Sequence, residues 1–329
     1  MKINIFWLLN LQLFFCYTHG TDCRKEPKCE VTRVHKMKAA NCYDRQFKSF
    51  PKCLTGDVEV IDLTFNRIRK VSRADLSKFS YLKFLYLADN LLSKLDGDVF
   101  DDLTSLTTLD LSLNALNKVP PSVFQLPSLK SLYIGQNWNI NIVDALEVSR
   151  PIQSPLTQID ISQTTDEENY SNFPDFGILP FLVVLNITGN FYFSIRPALF
   201  MGLCNLQKLI NDNVTTEFED ACDCWKINNW LTLRKIKFTP FTCNVPQAKC
   251  LENDFKEDDL QIYNQCSETF KHIQKTNLII KSSIGVGVGV IVILFLIGIF
   301  LFWRRRNKRR SHLQNRKKSV PNEYTLCDN

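Results

Sequence analysis

Histidine is scarce in this chain, with four residues in 329: His19, His35, His272 and His312. They are spread from one end to the other, and no Ser/His/Asp set, glycine-rich phosphate loop or zinc-ligand spacing can be assembled around them. The sequence therefore predicts no enzyme, no cofactor and no metal site. Cysteine is absent between Cys53 and Cys204, so the middle of the chain must stabilise itself without cross-links. Charge is absent from Ile284 to Trp303, a run of twenty residues.

That uncharged run is long enough, at about 1.5 Å per helical residue, to cross a hydrocarbon core of roughly 30 Å. The cluster RRRNKRR at 304–310 follows it directly, and basic residues beside a span stay in the cytoplasm. At the other end, Lys2, the apolar run from Ile3 to Cys16 and the small residues Thr18 and Gly20 read as a cleaved signal peptide. The expected topology is single-pass type I in the plasma membrane, with the amino terminus outside.

The net charge of +6 then divides unevenly. The 26 residues from Arg304 carry nine basic and two acidic side chains, leaving thirty basic against thirty-two acidic between the signal peptide and the span. An outer part near −2 has no nucleic-acid footprint. Arg304 to Arg310 and Arg316 to Lys318 instead suit anionic lipid of the inner leaflet. Ser311 and Ser319 follow those basic runs, and phosphorylation there would weaken the contact; Tyr324 is a candidate phosphorylation or sorting signal. The tail is expected to be too short for a folded signalling domain. Gly285 and Gly289 form a small-xxx-small pair that permits a helix homodimer.

The middle of the chain repeats. On the template L-x-x-L-x-L-x-x-N it reads VEVIDLTFN at 58, LKFLYLADN at 82, LTTLDLSLN at 106, LKSLYIGQN at 129, LTQIDISQT at 156 and LVVLNITGN at 182, with a degenerate LQKLINDNV at 206. The starts are 23 to 27 residues apart, the spacing of leucine-rich repeats. In a short strand alternate side chains face opposite ways, so Leu82, Leu85 and Leu87 and their equivalents should point into a coil that only stacked repeats can close. Leu76, Phe100, Phe124 and Phe200 should fill the opposite, convex side. Asn66, Asn90, Asn114, Asn137 and Asn190 recur where the chain leaves each strand and should satisfy backbone groups buried in the turn. Thr164 interrupts that series, and the acidic, aromatic loop TDEENYSNFPDFG follows it.

From Cys23 to Cys266 this pattern resembles the typical extracellular leucine-rich-repeat family, as in Toll-like and adhesion ectodomains. The resemblance implies an α/β repeat fold, a solenoid with parallel β strands on the concave face and loops or short helices on the convex face, here joined to one transmembrane helix. It divides the chain into a signal peptide (1–20), an N-terminal cysteine-rich cap (21–56), about seven repeats (58–214), a C-terminal cysteine-rich cap (215–266), a stalk (267–283), the span (284–303) and a basic tail (304–329).

The N-terminal cap holds Cys23, Cys29, Cys42 and Cys53, for which three pairings are open. The segment CDCWKINNWL with Cys222 and Cys224, followed by Cys243 and Cys266, looks like the family's C-terminal cap, in which the Cys-x-Cys pair bonds to two later cysteines. In an oxidising compartment that pair reads as disulfide rather than metal. Cys250 departs from the pattern: either it pairs with Cys204 or the connectivity differs.

The middle outward position of successive strands reads Asp62, Tyr86, Asp110, Tyr133, Asp160 and Asn186. Carboxylates alternating with amphipathic rings suit a protein interface. Beside them, Phe65 and Phe84, with Val60, should be exposed apolar anchors near the N-terminal edge unless the cap folds over them. Sequons stand at Asn169, Asn186 and Asn213. The expected function is a receptor, co-receptor or adhesion molecule that recognises a cell-surface or extracellular protein. The alternative is an accessory subunit that regulates another membrane protein through the span.

Overall fold

A computed structural model of the protein describes residues 27–138, 140–250 and 255–318; side chains at 277, 281, 284–290 and 307–318 lie outside that description. The signal peptide, Cys23, Ser319 and Tyr324 fall outside the described residues, as do the side chains of Gly285, Gly289 and Ser311. The chain divides into two compact units, one ending at Thr269 and one beginning at Phe270.

The first unit is the solenoid. In every repeat three residues of the motif are extended, giving β3 (Val60–Asp62), β4 (Phe84–Tyr86), β5 (Thr108–Asp110), β6 (Ser131–Tyr133), β7 (Gln158–Asp160), β8 (Val184–Asn186) and β10 (Lys208–Ile210). They follow two earlier strands, β1 (Glu30–Val34) and β2 (Met37–Asn41). From β2 onward neighbours pair in parallel, and the sheet order is β1-β2-β3-β4-β5-β6-β7-β8-β10. The central residue of each repeat strand, from Ile61 to Leu209, points inward and is at most 1 % exposed. Leu76, Phe100, Phe124 and Phe200 close the convex side of the same core, where two short helices, α1 (Arg73–Leu76) and α2 (Val143–Val148), also lie. Each such side chain contributes roughly 1.5–3 kcal/mol on burial.

After each strand the backbone turns through a left-handed residue at the same motif position: Phe65 (φ 61°), Asp89 (51°), Leu113 (53°), Gln136 (58°), Gln163 (51°) and Gly189 (66°). A non-glycine residue held there costs about 1–2 kcal/mol. What holds it is the asparagine that follows. Asn114 Nδ2 donates to Leu87 O (3.0 Å) in the preceding repeat and to Leu111 O (3.1 Å) in its own, while its Oδ1 accepts from Leu92 N (3.0 Å). Asn90, Asn137 and Asn190 repeat the scheme, reaching Leu63 O, Leu111 O and Ile161 O. Asn66 ties the first repeat to what precedes it, accepting from Phe47 N (2.9 Å) and donating to Cys42 O (2.9 Å).

Thr164 reproduces only part of this. Its hydroxyl donates to Ile161 O (3.0 Å) within its own turn, but it is too short to reach back to the fourth repeat. The loop that follows is not merely an insertion, since Phe173 and Phe176 are buried and Phe173 packs against Tyr192 (5.1 Å between centroids) and Phe200 (5.4 Å). A second small sheet pairs β9 (Phe191–Tyr192) with β11 (Thr215–Thr216) on that side.

The series of repeat strands is flanked at both ends. On one side the antiparallel β1–β2 hairpin lies beside β3, with Cys29 bonded to Cys42. Cys53 is also disulfide-bonded. On the other, Asn211 occupies the position that carries leucine or isoleucine in the other repeats, and its amide exchanges two bonds with the Thr239 backbone, 2.7 and 2.9 Å. A buried amide would be costly in an apolar core; here it docks the terminal segment onto the last strand. The disulfides of that segment are Cys204–Cys266, Cys222–Cys250 and Cys224–Cys243. Cys250 therefore does not pair with Cys204, and Cys266 is not a partner of the Cys-x-Cys pair. Cys204 lies just before the seventh repeat and meets Cys266, whose Sγ is 3.0 Å from Gly202 O, whereas Cys250 is bonded to Cys222 at the start of α3 (Asp223–Leu233). Arg234 stacks its guanidinium over Trp230 (3.2 Å) and Tyr263 (4.0 Å).

Helix α4 (Glu257–Lys318) begins in the first unit and makes up the described part of the second. Ile291 to Trp303 are all exposed. Among the described residues no helix is long and apolar enough to cross a membrane. The expected span includes 284–290, whose side chains are outside the description, and the described apolar run from Ile291 is thirteen residues.

The ladder makes a differential prediction. Asn137→Ala removes the amide's bonds to Leu111 O (2.9 Å) and Ile134 O (2.8 Å) and the acceptor of Leu116 N and should lower the unfolding free energy by about 2–4 kcal/mol. Thr164→Ala should cost about 1 kcal/mol. Urea unfolding of the full chain followed by tryptophan fluorescence measures both, and equal losses would remove the ladder as the explanation.

Candidate functional site

The parallel register brings the outward residues of consecutive strands into rows. Asp62 is opposite Tyr86, Tyr86 opposite Asp110, Asp110 opposite Tyr133, Tyr133 opposite Asp160 and Asp160 opposite Asn186. All six are half-buried. Neighbouring strands are about 4.8 Å apart, so successive carboxylates stand about 10 Å apart with a tyrosine between them. The parallel row Val60, Phe84, Thr108, Ser131, Gln158 and Val184 is uncharged up to Lys208.

Each carboxylate is oriented by its own turn. The backbone N–H two residues on donates to Oδ1: Thr64 to Asp62 (2.9 Å), Ser112 to Asp110 (3.0 Å) and Ser162 to Asp160 (2.9 Å). The Ser162 hydroxyl adds a second bond to Asp160 Oδ1 (2.6 Å). This is the Asx-turn arrangement, which fixes the side chain on the strand end. None of the ion pairs among the described residues involves Asp62, Asp110 or Asp160.

Burial pushes the Asp110 carboxyl above its ordinary value, against the pull of the Ser112 hydrogen bonds, with Asp160 and Asp62 adding repulsion. The Tyr86 and Tyr133 hydroxyls are pushed up too, first by burial and then by neighbouring groups that include Asp110. Both tyrosines stay neutral at physiological pH and keep a proton to donate. The row thus offers fixed acceptors and rigid donors side by side.

Phe84 belongs to the concave sheet, half-buried on β4. Phe65 lies past the end of β3, in the left-handed turn, 50 % exposed and with its ring stacked on Tyr43 at 6.1 Å. Leu91, Leu113 and Trp138 also flank ladder asparagines and are exposed. The signal was present in the sequence as an apolar residue on one side or the other of each buried asparagine, in Phe65-Asn66, Asn90-Leu91, Leu113-Asn114 and Asn137-Trp138.

The sequon asparagines differ in setting. Asn169 and Asn213 are exposed, whereas Asn186 is half-buried on β8 with Nδ2 donating to Asp160 Oδ2 (2.8 Å). A recess of about 410 Å³ lies beside β9, bordered by Ile140, Asp144, Thr164, Asn169, Tyr170 and Phe193. It coincides with the break in the asparagine ladder.

Residues 57–116 and 104–148 match the family model described as leucine rich repeat. Among similar proteins, the platelet glycoprotein Ib alpha chain of Mus musculus is 30 % identical over 109 residues, 33 % of this chain and 15 % of that one. Toll-like receptor 2 type-1 of Gallus gallus is 25 % identical over 258 residues, 77 % of this chain and 31 % of the receptor. Leucine-rich repeat-containing protein 3 of Danio rerio is 27 % identical over 154 residues, covering 46 % of this chain and 58 % of that protein. The chain spans less than two thirds of the length of each of these relatives. An internalin from Listeria monocytogenes superposes on 57 % of this chain and 48 % of its own, with a TM-score of 0.43 at 19 % identity.

The Asp110 environment gives a pH test. A carboxyl whose folded value is raised favours folding below its unfolded value of about 3.9 and loses that contribution as pH rises through the folded value. Asp110→Asn keeps an acceptor for Ser112 N and carries no charge, so at pH 7 it should melt above the wild-type chain. The advantage should shrink towards pH 3 in calorimetric scans, and a gain of equal size at both pH values would contradict the assignment.

Proposed function

We propose that the chain is a cell-surface binding protein whose concave solenoid face recognises a protein ligand, with Asp62, Tyr86, Asp110, Tyr133, Asp160 and Phe84 making the contacts. The observation that carries this reading is the row of oriented carboxylates, none in an ion pair among the described residues, alternating with half-buried tyrosines. A carboxylate held by its own turn and half-buried without an ion-pair partner among the described residues is already preorganised for a cationic group, and the flanking rings add cation–π attraction. The ligand surface that fits is one bearing lysine or arginine side chains about 10 Å apart. The names of two relatives, a Toll-like receptor and a platelet glycoprotein, agree with a receptor or adhesion role.

The binding face is held at the plasma membrane by the segment 284–303. Support comes from the run Ile291 to Trp303, every residue of it exposed on α4, with exposed Arg304, Arg305 and Arg306 directly after it. Apolar side chains exposed around the whole circumference of a helix suit a lipid surrounding rather than water. The basic residues that follow would rest against anionic headgroups of the inner leaflet. Gly285 and Gly289 would let two such helices approach closely.

Two experiments test this. Full-length chain displayed on cells is probed with a panel of purified extracellular proteins, and a ligand found with the wild type should bind at least about tenfold more weakly to the Tyr86→Ala/Tyr133→Ala double variant. Unchanged affinity would place recognition elsewhere on the solenoid. In the second, membranes are washed with alkaline carbonate: the full chain should stay with the lipid, and a variant lacking 284–303 should be released. Release of both would remove the tether.

A further inference from the structure

A sequon stands at the rim of a recess in the wall of the solenoid. Asn169, Tyr170 and Ser171 all border the recess of about 410 Å³ between the fourth and fifth repeats. Thr164, too short to stitch those repeats together, lines the same recess. Next to the sequon, Phe193 is 58 % exposed, with its ring 5.8 Å from that of Tyr170, which in turn meets Phe191 at 5.5 Å. This is an aromatic surface facing water on an otherwise well-packed domain.

The sequon is held rigidly against that surface. Ser171 N donates to Phe191 O (3.2 Å), and Phe193 N donates to Ser171 O (2.9 Å). Asp166 Oδ1 accepts both the backbone N–H of Asn169 (2.8 Å) and its Nδ2 (2.9 Å), which fixes the direction of the amide. Because Nδ2 carries two hydrogens, one can be replaced by a sugar while the other keeps the bond to Asp166.

We infer that the first sugars attached to Asn169 fold back over the Tyr170–Phe193 pair and into the recess, so that a carbohydrate closes the wall where the asparagine ladder is interrupted. In the attachment step Nδ2 loses a proton and forms a bond to C1 of the sugar, while the C1–O bond to the pyrophosphate of a lipid-linked oligosaccharide donor breaks; nothing is oxidised or reduced. The C–H face of a pyranose ring covers aromatic surface as another apolar group would. Its hydroxyls meet Asn141, Asn172 and Asp144, which also line the recess. The inference rests on the cell-surface reading, since only a chain entering the secretory route meets the donor.

The test uses full-length chain made in glycosylating animal cells and purified in detergent. Peptide mass mapping after enzymatic deglycosylation in heavy-oxygen water should find Asn169 occupied. Complete removal of the glycan should speed hydrogen exchange of the peptides spanning 164–174 and 190–195 by about fivefold or more, and trimming to a single sugar should leave it slow. Ser171→Ala, which prevents attachment without altering Asn169, should exchange as the deglycosylated chain does. In Phe193→Ala the difference between glycosylated and deglycosylated forms should fall below about twofold.

An occupied Asn169 whose removal leaves these rates within about twofold would overturn the inference. So would an unmodified Asn169 in a chain that carries a glycan at Asn213, and there the cell-surface reading would stand. If none of the three sequons were modified, both would fall together.

Discussion

No repeat of this protein can bury its own leucines. A strand of three residues presents one inward side chain, and the apolar surface around it is covered only when the next strand lies about 4.8 Å away and supplies another. The same dependence governs the polar groups. Each turn leaves carbonyls and amides inside the coil, and the asparagine of the following repeat reaches back to satisfy them. Apolar burial and hydrogen bonding are thus both interactions between neighbours, so stability runs along the chain as a series of like interfaces and both ends need covering. The hairpin before β3 and the Asn211–Thr239 exchange after β10 serve that need by different means.

Because the fold is carried by the inward positions, the outward ones are free to hold chemistry. The carboxylates of Asp62, Asp110 and Asp160 each use Oδ1 to fix the turn, and at Asp160 the second oxygen also accepts from Asn186 Nδ2. Burial beside two tyrosines disfavours charge on Asp110, a destabilisation that a cationic ligand would relieve. A surface held slightly above its own minimum in this way gains more from an oppositely charged partner than a fully solvated one would.

The fifth repeat shows what happens when one connection is shortened. Thr164 keeps the bond inside its own turn and gives up the bond across to the fourth repeat. The loop after it compensates by sending Phe173 and Phe176 into the core, and the gap that remains is the recess beside β9. The strands on either side of Thr164 keep their register all the same.

The motif spacing determined by itself the number and order of the repeat strands, the inward leucines and the outward Asp–Tyr row, because each depends on alternation over a few residues and on one pitch. The ladder asparagines were legible for the same reason. Tertiary structure decided what distance in sequence hides. Phe65 stacks on Tyr43 because the strand ends at Asp62, short of the motif's end, and the backbone then turns left-handed. Cys204 joined Cys266, 62 residues on, and Cys222 joined Cys250, 28 residues on, pairings that only the folded chain brings together. The recess, and the meeting of Asn169 with Phe193 at its rim, arise from segments about two dozen residues apart that become neighbours only once one turn of the coil lies on the next.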